Sequence, residues 1–158
     1  MTGRYLAQDI RDYVITMLED SSSGFDAMIG TINTERTHTT PVSNSITYSW
    51  GRNQLPLLIV DVDDSEAQYD DDATPLNLQY TLLPELYTLL IAGYMKYAND
   101  NVYNYVEDWI EATIRVLHNY NDTNISWITY QKTERADVYK NENEILKSFL
   151  VEFEIRIN

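Results

Sequence analysis

The stretch FLVEFEIRI (149–157) alternates without a break. Phe149, Val151, Phe153, Ile155 and Ile157 occupy one parity, and Leu150, Glu152, Glu154 and Arg156 the other. Period two is the side-chain repeat of a β-strand. The strand therefore has one apolar face that needs a core and one mostly charged face. A second long β-like segment, ISWITYQKTERADVYK (125–140), precedes it, and NEN (141–143) supplies turn residues between them. The pair reads as an antiparallel hairpin lying over a core.

The cover for that core is expected from two amphipathic segments. Over 5–20, Leu6, Ile10, Tyr13, Val14, Met17 and Leu18 recur at three- and four-residue spacing, and the SSSG run at 21–24 ends the pattern. Over 101–120, Val102, Val106, Trp109, Ile110, Thr113, Leu117 and Tyr120 form one stripe, with Asp100 placed to cap the first turn. His118 falls at the end of this helix, where a cation favourably meets the helix dipole. Further strands are predicted at 46–50, 57–63 and 76–83, with a turn at 51–56. The apolar start of 57–63 predicts burial on both faces. The segment 85–97 fits either a helix opened by Pro84 or a strand. We read it as a strand in which Gly93 marks a bulge or a close approach. The polar stretch 33–45 reads as a loop or extended arm. No repeat or linker divides the chain, so residues 1–158 read as a single domain.

Composition narrows the function. The chain has 158 residues, 44% of them hydrophobic, enough for a packed core. It carries 25 acidic residues against 11 basic ones, a formal charge of −14, which disfavours a general nucleic-acid-binding surface. The absence of cysteine removes disulfides, thiol catalysis and cysteine-ligated zinc. The first residues lack an apolar signal core, and the longest apolar run is shorter than the ~20 residues of a membrane helix. A soluble, non-secreted protein without membrane contact is the expectation.

The most unusual segment is DVDDSEAQYDDD (61–72). Asp61, Asp63, Asp64, Asp70, Asp71 and Asp72 are its aspartates, and no base lies between Arg52 and Lys96. Read as a calcium loop starting at Asp61, it has Asp63 third, Ser65 fifth and Asp72 twelfth. The sixth position, which requires glycine, is Glu66. A strand-end nuclease site would need an acid-x-Lys element on a neighbouring strand. Lys132 follows Tyr130-Gln131 and Lys147 follows Ile145-Leu146, so neither supplies it. Gly-x-Ser-x-Gly and phosphate-loop patterns are missing as well. A solvated acidic loop is the reading, with no catalytic residue, cofactor or metal expected. The thirteen tyrosines, among them Tyr94, Tyr97, Tyr103, Tyr105 and Tyr120, suit either a core edge or a partner surface.

The order of pieces resembles the tail terminator and neck-completion (head-tail joining) proteins of tailed bacteriophages. An N-terminal helix leads into strands; IAGYMK precedes an acid-capped helix ending in VLHNY; TERADVYKNENE then turns into FLVEFEIRI. The resemblance implies an α+β fold with the N-terminal helix and one long helix on a mostly antiparallel sheet, closed by a C-terminal β-hairpin. It implies a non-enzymatic virion protein made in the host bacterial cytoplasm. Six copies would form a ring at the head-proximal end of the tail, touching the tail tube protein and the head connector. DNA would pass through without specific binding. The aspartates of 61–72 would then face the lumen or a docking partner. The exposed face of the last hairpin, the arm 33–45 and tyrosines of the main helix would contribute to the ring contacts. Another neck or connector ring protein, an acidic DNA mimic and a carboxylate-based metal enzyme are the alternatives.

Overall fold

The computed structural model describes residues 7–36, 57–63, 86–96, 102–141 and 144–157. Within them, three helices and four strands follow one another as α1 (Ala7–Glu19), α2 (Phe25–Arg36), β1 (Leu57–Val62), β2 (Leu86–Lys96), α3 (Val102–Leu117), β3 (Ile125–Asn141) and β4 (Glu144–Ile157). The strands form one sheet in the order β1-β2-β4-β3, and every pairing is antiparallel. The fold is α+β. The strand read over 46–50, the turn at 51–56, the strand at 76–83, the Asp100 cap and most of the turn at 141–143 lie outside the described residues.

The alternation in 149–157 does what period two requires. Phe149, Val151, Phe153, Ile155 and Ile157 are all buried, while the opposite parity is half-exposed. The register lines Phe149 against Gly93, Val151 against Ile91 and Phe153 against Leu89. Leu58, Val60 and Val62 of β1 complete this face. The helices cover it with Ile10, Val14, Leu18, Ile29, Trp109 and Leu117. α1 packs on β1, α3 crosses β2, β4 and β3, and α2 touches both helices.

Position 93 explains why Leu86–Lys96 is a strand. A Cβ there would overlap the ring of Phe149, so the glycine lets that ring lie flat across the neighbouring strand. Gly93→Ala forces a shift of Phe149 in a close-packed core. The expected cost is about 1–3 kcal/mol, measurable as a lower midpoint in urea unfolding. Gly24 is similarly constrained: a Cβ would strike the carbonyl oxygens of Leu18 and Asp20. It stands at the α1–α2 junction, where the Asp20 carboxylate accepts hydrogen bonds from the backbone N–H and hydroxyl groups of Ser22 and Ser23. Those donors, the Ser22 hydroxyl foremost, pull its pKa down to about 2.

Three expectations are corrected. Asn33–Arg36, read as the start of a polar arm, belong to α2; the rest of the arm, 37–45, lies outside the described residues. Phe25, Ile29 and Ile32 bury one face of this helix, and the ring of Phe25 meets Trp109 edge-on at 5.2 Å. Thr31 and Thr34 return their hydroxyls to the carbonyls of Ala27 and Gly30, a back-bonding that slightly weakens a helix, so the buried face is what keeps this one formed. His118 lies just beyond α3 and accepts a hydrogen bond at Nδ1 from the Tyr130 N–H. That contact joins the end of α3, which stops at Leu117, to β3. Finally, the outward parity of β1 is buried only at its apolar start and loses that burial along the strand. Leu57 is buried outside the main core, Ile59 is half-buried and Asp61 is exposed.

Candidate functional site

The acidic segment is described only at its start. Asp61 is exposed on β1, where its Oδ1 accepts the Val62 N–H at 2.9 Å. Asp63 is exposed immediately after the strand, and its N–H donates to the Thr88 carbonyl at 2.9 Å. Asp64, Asp70, Asp71 and Asp72 lie outside the described residues. Among the described residues, no three His, Asp or Glu side chains converge in a way that would hold a metal ion. No described helix is long and apolar enough to cross a membrane.

A cleft of about 350 Å³ opens between the helices, lined in part by Tyr13, Met17, Met28, Val116, Tyr120 and Arg115. Its cation is already committed. Arg115 bonds Glu35 at 3.0 Å and Glu111 at 2.7 Å, joining α2 to α3. Thr16, Asp20 and Ser23 also line it, the Ser23 hydroxyl donating to the Asp20 carboxylate at 3.1 Å, so the cleft has both apolar and polar walls.

A polar group that joins distant elements is Asp122, in the turn between α3 and β3. Its Oδ1 accepts the N–H groups of Asn124 and Ile125, each at 2.7 Å. Its Oδ2 accepts the phenol hydroxyls of Tyr13 from α1 and Tyr120 from the end of α3. Burial would push this carboxyl up, but the four donors outweigh it and hold its pKa below the usual carboxylate value. The same contact, with burial, raises the Tyr13 phenol. One carboxylate thus locks the first helix to the loop that starts the hairpin. Sequence reasoning missed it. The local clue was an aspartate followed by free N–H groups two and three residues on, an Asx turn; nothing local pointed to Tyr13.

The remaining surface of interest is the face of the sheet opposite the described helices. Residues of the outward parity lie in rows across it: Ile59, Ala92, Leu150 and Glu134; Asp61, Leu90, Glu152 and Lys132; then Thr88, Glu154 and Thr129. Leu86, Arg156 and Trp127 make the last row. The described helices pack on the other face, so this one is a mixture of half-buried apolar groups and charges of both signs. The exposed face of the last hairpin lies within it. Tyr94 and Tyr120 are half-buried; the side chains of Tyr97, Tyr103 and Tyr105 lie outside those described.

No family model matches the chain, and no curated protein matches its sequence. Its fold does match. A chain of a solved structure described as the virion of a native gene transfer agent (GTA) particle superposes with a TM-score of 0.58 at 11% identity, over 98% of each chain. The protein thus shares its whole described architecture with a component of a virion particle.

Proposed function

We propose that this chain is a structural protein of a phage-like virion, acting as a tail terminator: a ring of six copies that caps the tail tube and joins it to the neck. The observation that carries the reading is the fold likeness to a chain of a gene transfer agent virion, which extends over 98% of both chains. The arrangement described above is consistent with a protein that works by fitting surfaces together. Asp122 accepts four donors of its own chain and ties α1 to the start of the hairpin, a structural task. A ring needs a heterologous contact, in which two different patches meet around a rotation axis. With a formal charge of −14 per copy, the ring would repel DNA phosphates and let DNA pass without adhering. Asp61 and Asp63, with Asp64, Asp70, Asp71 and Asp72, are the acids assigned to the lumen or to docking on a neighbouring ring.

The test is to locate the chain in purified particles. Peptide quantification by mass spectrometry and an image reconstruction of the particle should find six copies at the head-proximal end of the tail. Absence from intact particles, with the protein recovered only from the soluble lysate, would sink the proposal.

A further inference from the structure

The helices hold a large share of the chain's negative charge. Residues 7–36 and 102–122, which span α1, α2, α3 and the turn after α3, contain ten acids and three bases. The cleft among these helices joins that charge to apolar walls. Tyr13, Met17, Met28, Val116 and Tyr120 all line it, and all five pack on the core yet remain half-buried. Carboxylates outnumber cations around it. Arg115 is shared by Glu35 and Glu111, and the phenols of Tyr13 and Tyr120 lead to Asp122. Asp20, which lines the cleft, collects the donors of Ser22 and Ser23 on Oδ1; among the described residues nothing donates to its Oδ2. Four carboxylates and one guanidinium thus stand in the walls of the cleft or one contact behind them.

We propose that this cleft docks a basic amphipathic segment of a different polypeptide, with apolar side chains seated among Met17, Met28 and Val116 and a Lys or Arg meeting Asp20. Apolar walls under a charged rim are what an amphipathic segment fits, and methionine adapts to apolar side chains of varied shape. Charge complementarity selects a basic partner and steers its approach. A second copy is a poorer match. Arg11, Arg115, Lys132 and Arg135 are held by the chain's own carboxylates, and each copy has a formal charge of −14, which repels another. The chain's own remaining segments match little better: 64–85 has six acids and no base, and 37–56 has Arg52 as its one Lys or Arg. The inference deepens the virion reading above and rests on it for the source of the segment, a neighbouring virion protein.

Two measurements on the full-length chain test this. In the first, methionine methyl resonances are followed as a short amphipathic helix of leucine and lysine is added. Met17 and Met28 should shift saturably while Met95, buried in the core, stays still, and the same peptide with glutamate in place of lysine should leave all three unmoved. Met28→Gln should weaken the binding by about 5-fold or more, the mark of a residue that matters in an interface, with the thermal unfolding midpoint nearly unchanged. Shifts that spare Met17 and Met28, or equal binding of the glutamate peptide, would overturn the proposal. In the second, the photoreactive residue p-benzoylphenylalanine replaces Met17 in assembled particles. Irradiation should join the chain to another virion protein, at a peptide carrying Lys or Arg beside apolar residues. A crosslink to a second copy, or to residues 37–56 or 64–85 of the same chain, would overturn the docking and leave the virion reading standing. The titration needs no particle, so a chain missing from particles would sink the virion reading while the methyl shifts still decided the cleft.

Discussion

Trp109→Ala lowers the unfolding free energy by about 3–5 kcal/mol, the range for deleting a large aromatic side chain from a core. Trp109 is 1% exposed. Its indole meets Phe25 of α2 at 5.2 Å and Phe149 of β4 at 6.5 Å, both edge-on. One side chain therefore couples α3 to the neighbouring helix and to a central strand. Removing it opens a cavity that α2, α3 and the sheet can close only by moving together. Urea denaturation followed by circular dichroism checks the value. The indole N–H gives a second comparison, since it is buried and has no hydrogen-bond partner. An unpaired buried donor costs about 1–3 kcal/mol. Trp109→Phe deletes that donor while keeping most of the ring, so it should cost far less than the alanine variant. Equal losses in the two variants would mean that the donor is satisfied and the ring's shape is what matters.

The residues that announced their structure were those whose burial has a period. Phe149 to Ile157 alternates because only one parity of β4 enters the core. Val106, Trp109, Ile110, Thr113 and Leu117 recur because one side of α3 lies on the sheet and α2. α2 escaped notice for a physical reason. Thr31, Asn33 and Thr34 are weak helix formers, and Gly30 weakens the segment further. The helix is maintained by what Phe25, Ile29 and Ile32 touch on α3 and the core, which is tertiary information. β2 was ambiguous because an apolar run with Tyr and Leu suits both periods; Gly93 decides it, but only once Phe149 is known to lie opposite. Of the acidic segment, Asp61 is exposed on β1 and Asp63 just after it, and the other four aspartates lie outside the described residues.

Asp122→Ala costs at least about 1.5–3 kcal/mol, the worth of a hydrogen bond to a charged group, because the carboxylate serves several donors at once. Without it the Asn124 and Ile125 N–H groups lose their acceptor, and the phenols of Tyr13 and Tyr120 lose the partner that holds α1 to the hairpin turn. The loss should be visible locally. Amide hydrogen exchange in α1 and at 122–125 should rise before the β2–β4 core opens, since local opening needs only the contacts of that segment. The pH dependence has two signs. The folded carboxyl titrates below its unfolded value, so its stabilisation is complete above the unfolded pKa and is lost as the pH falls through the folded one. The Tyr13 phenol is shifted the opposite way. Its contribution is present below the unfolded phenol pKa, about 10, and declines as the pH rises beyond it. Wild-type stability should therefore lose a component at each end of the pH range. In Asp122→Ala both components should shrink, the acid one because the carboxyl is gone and the alkaline one because the phenol has lost its acceptor. Tyr13→Phe separates them: it should remove the alkaline component attributed to Tyr13 and reduce the acid one only in part, since the two backbone N–H groups still hold Asp122. An acid component that vanishes entirely in Tyr13→Phe would show that the phenol, and not the Asx turn, keeps the carboxyl ionised.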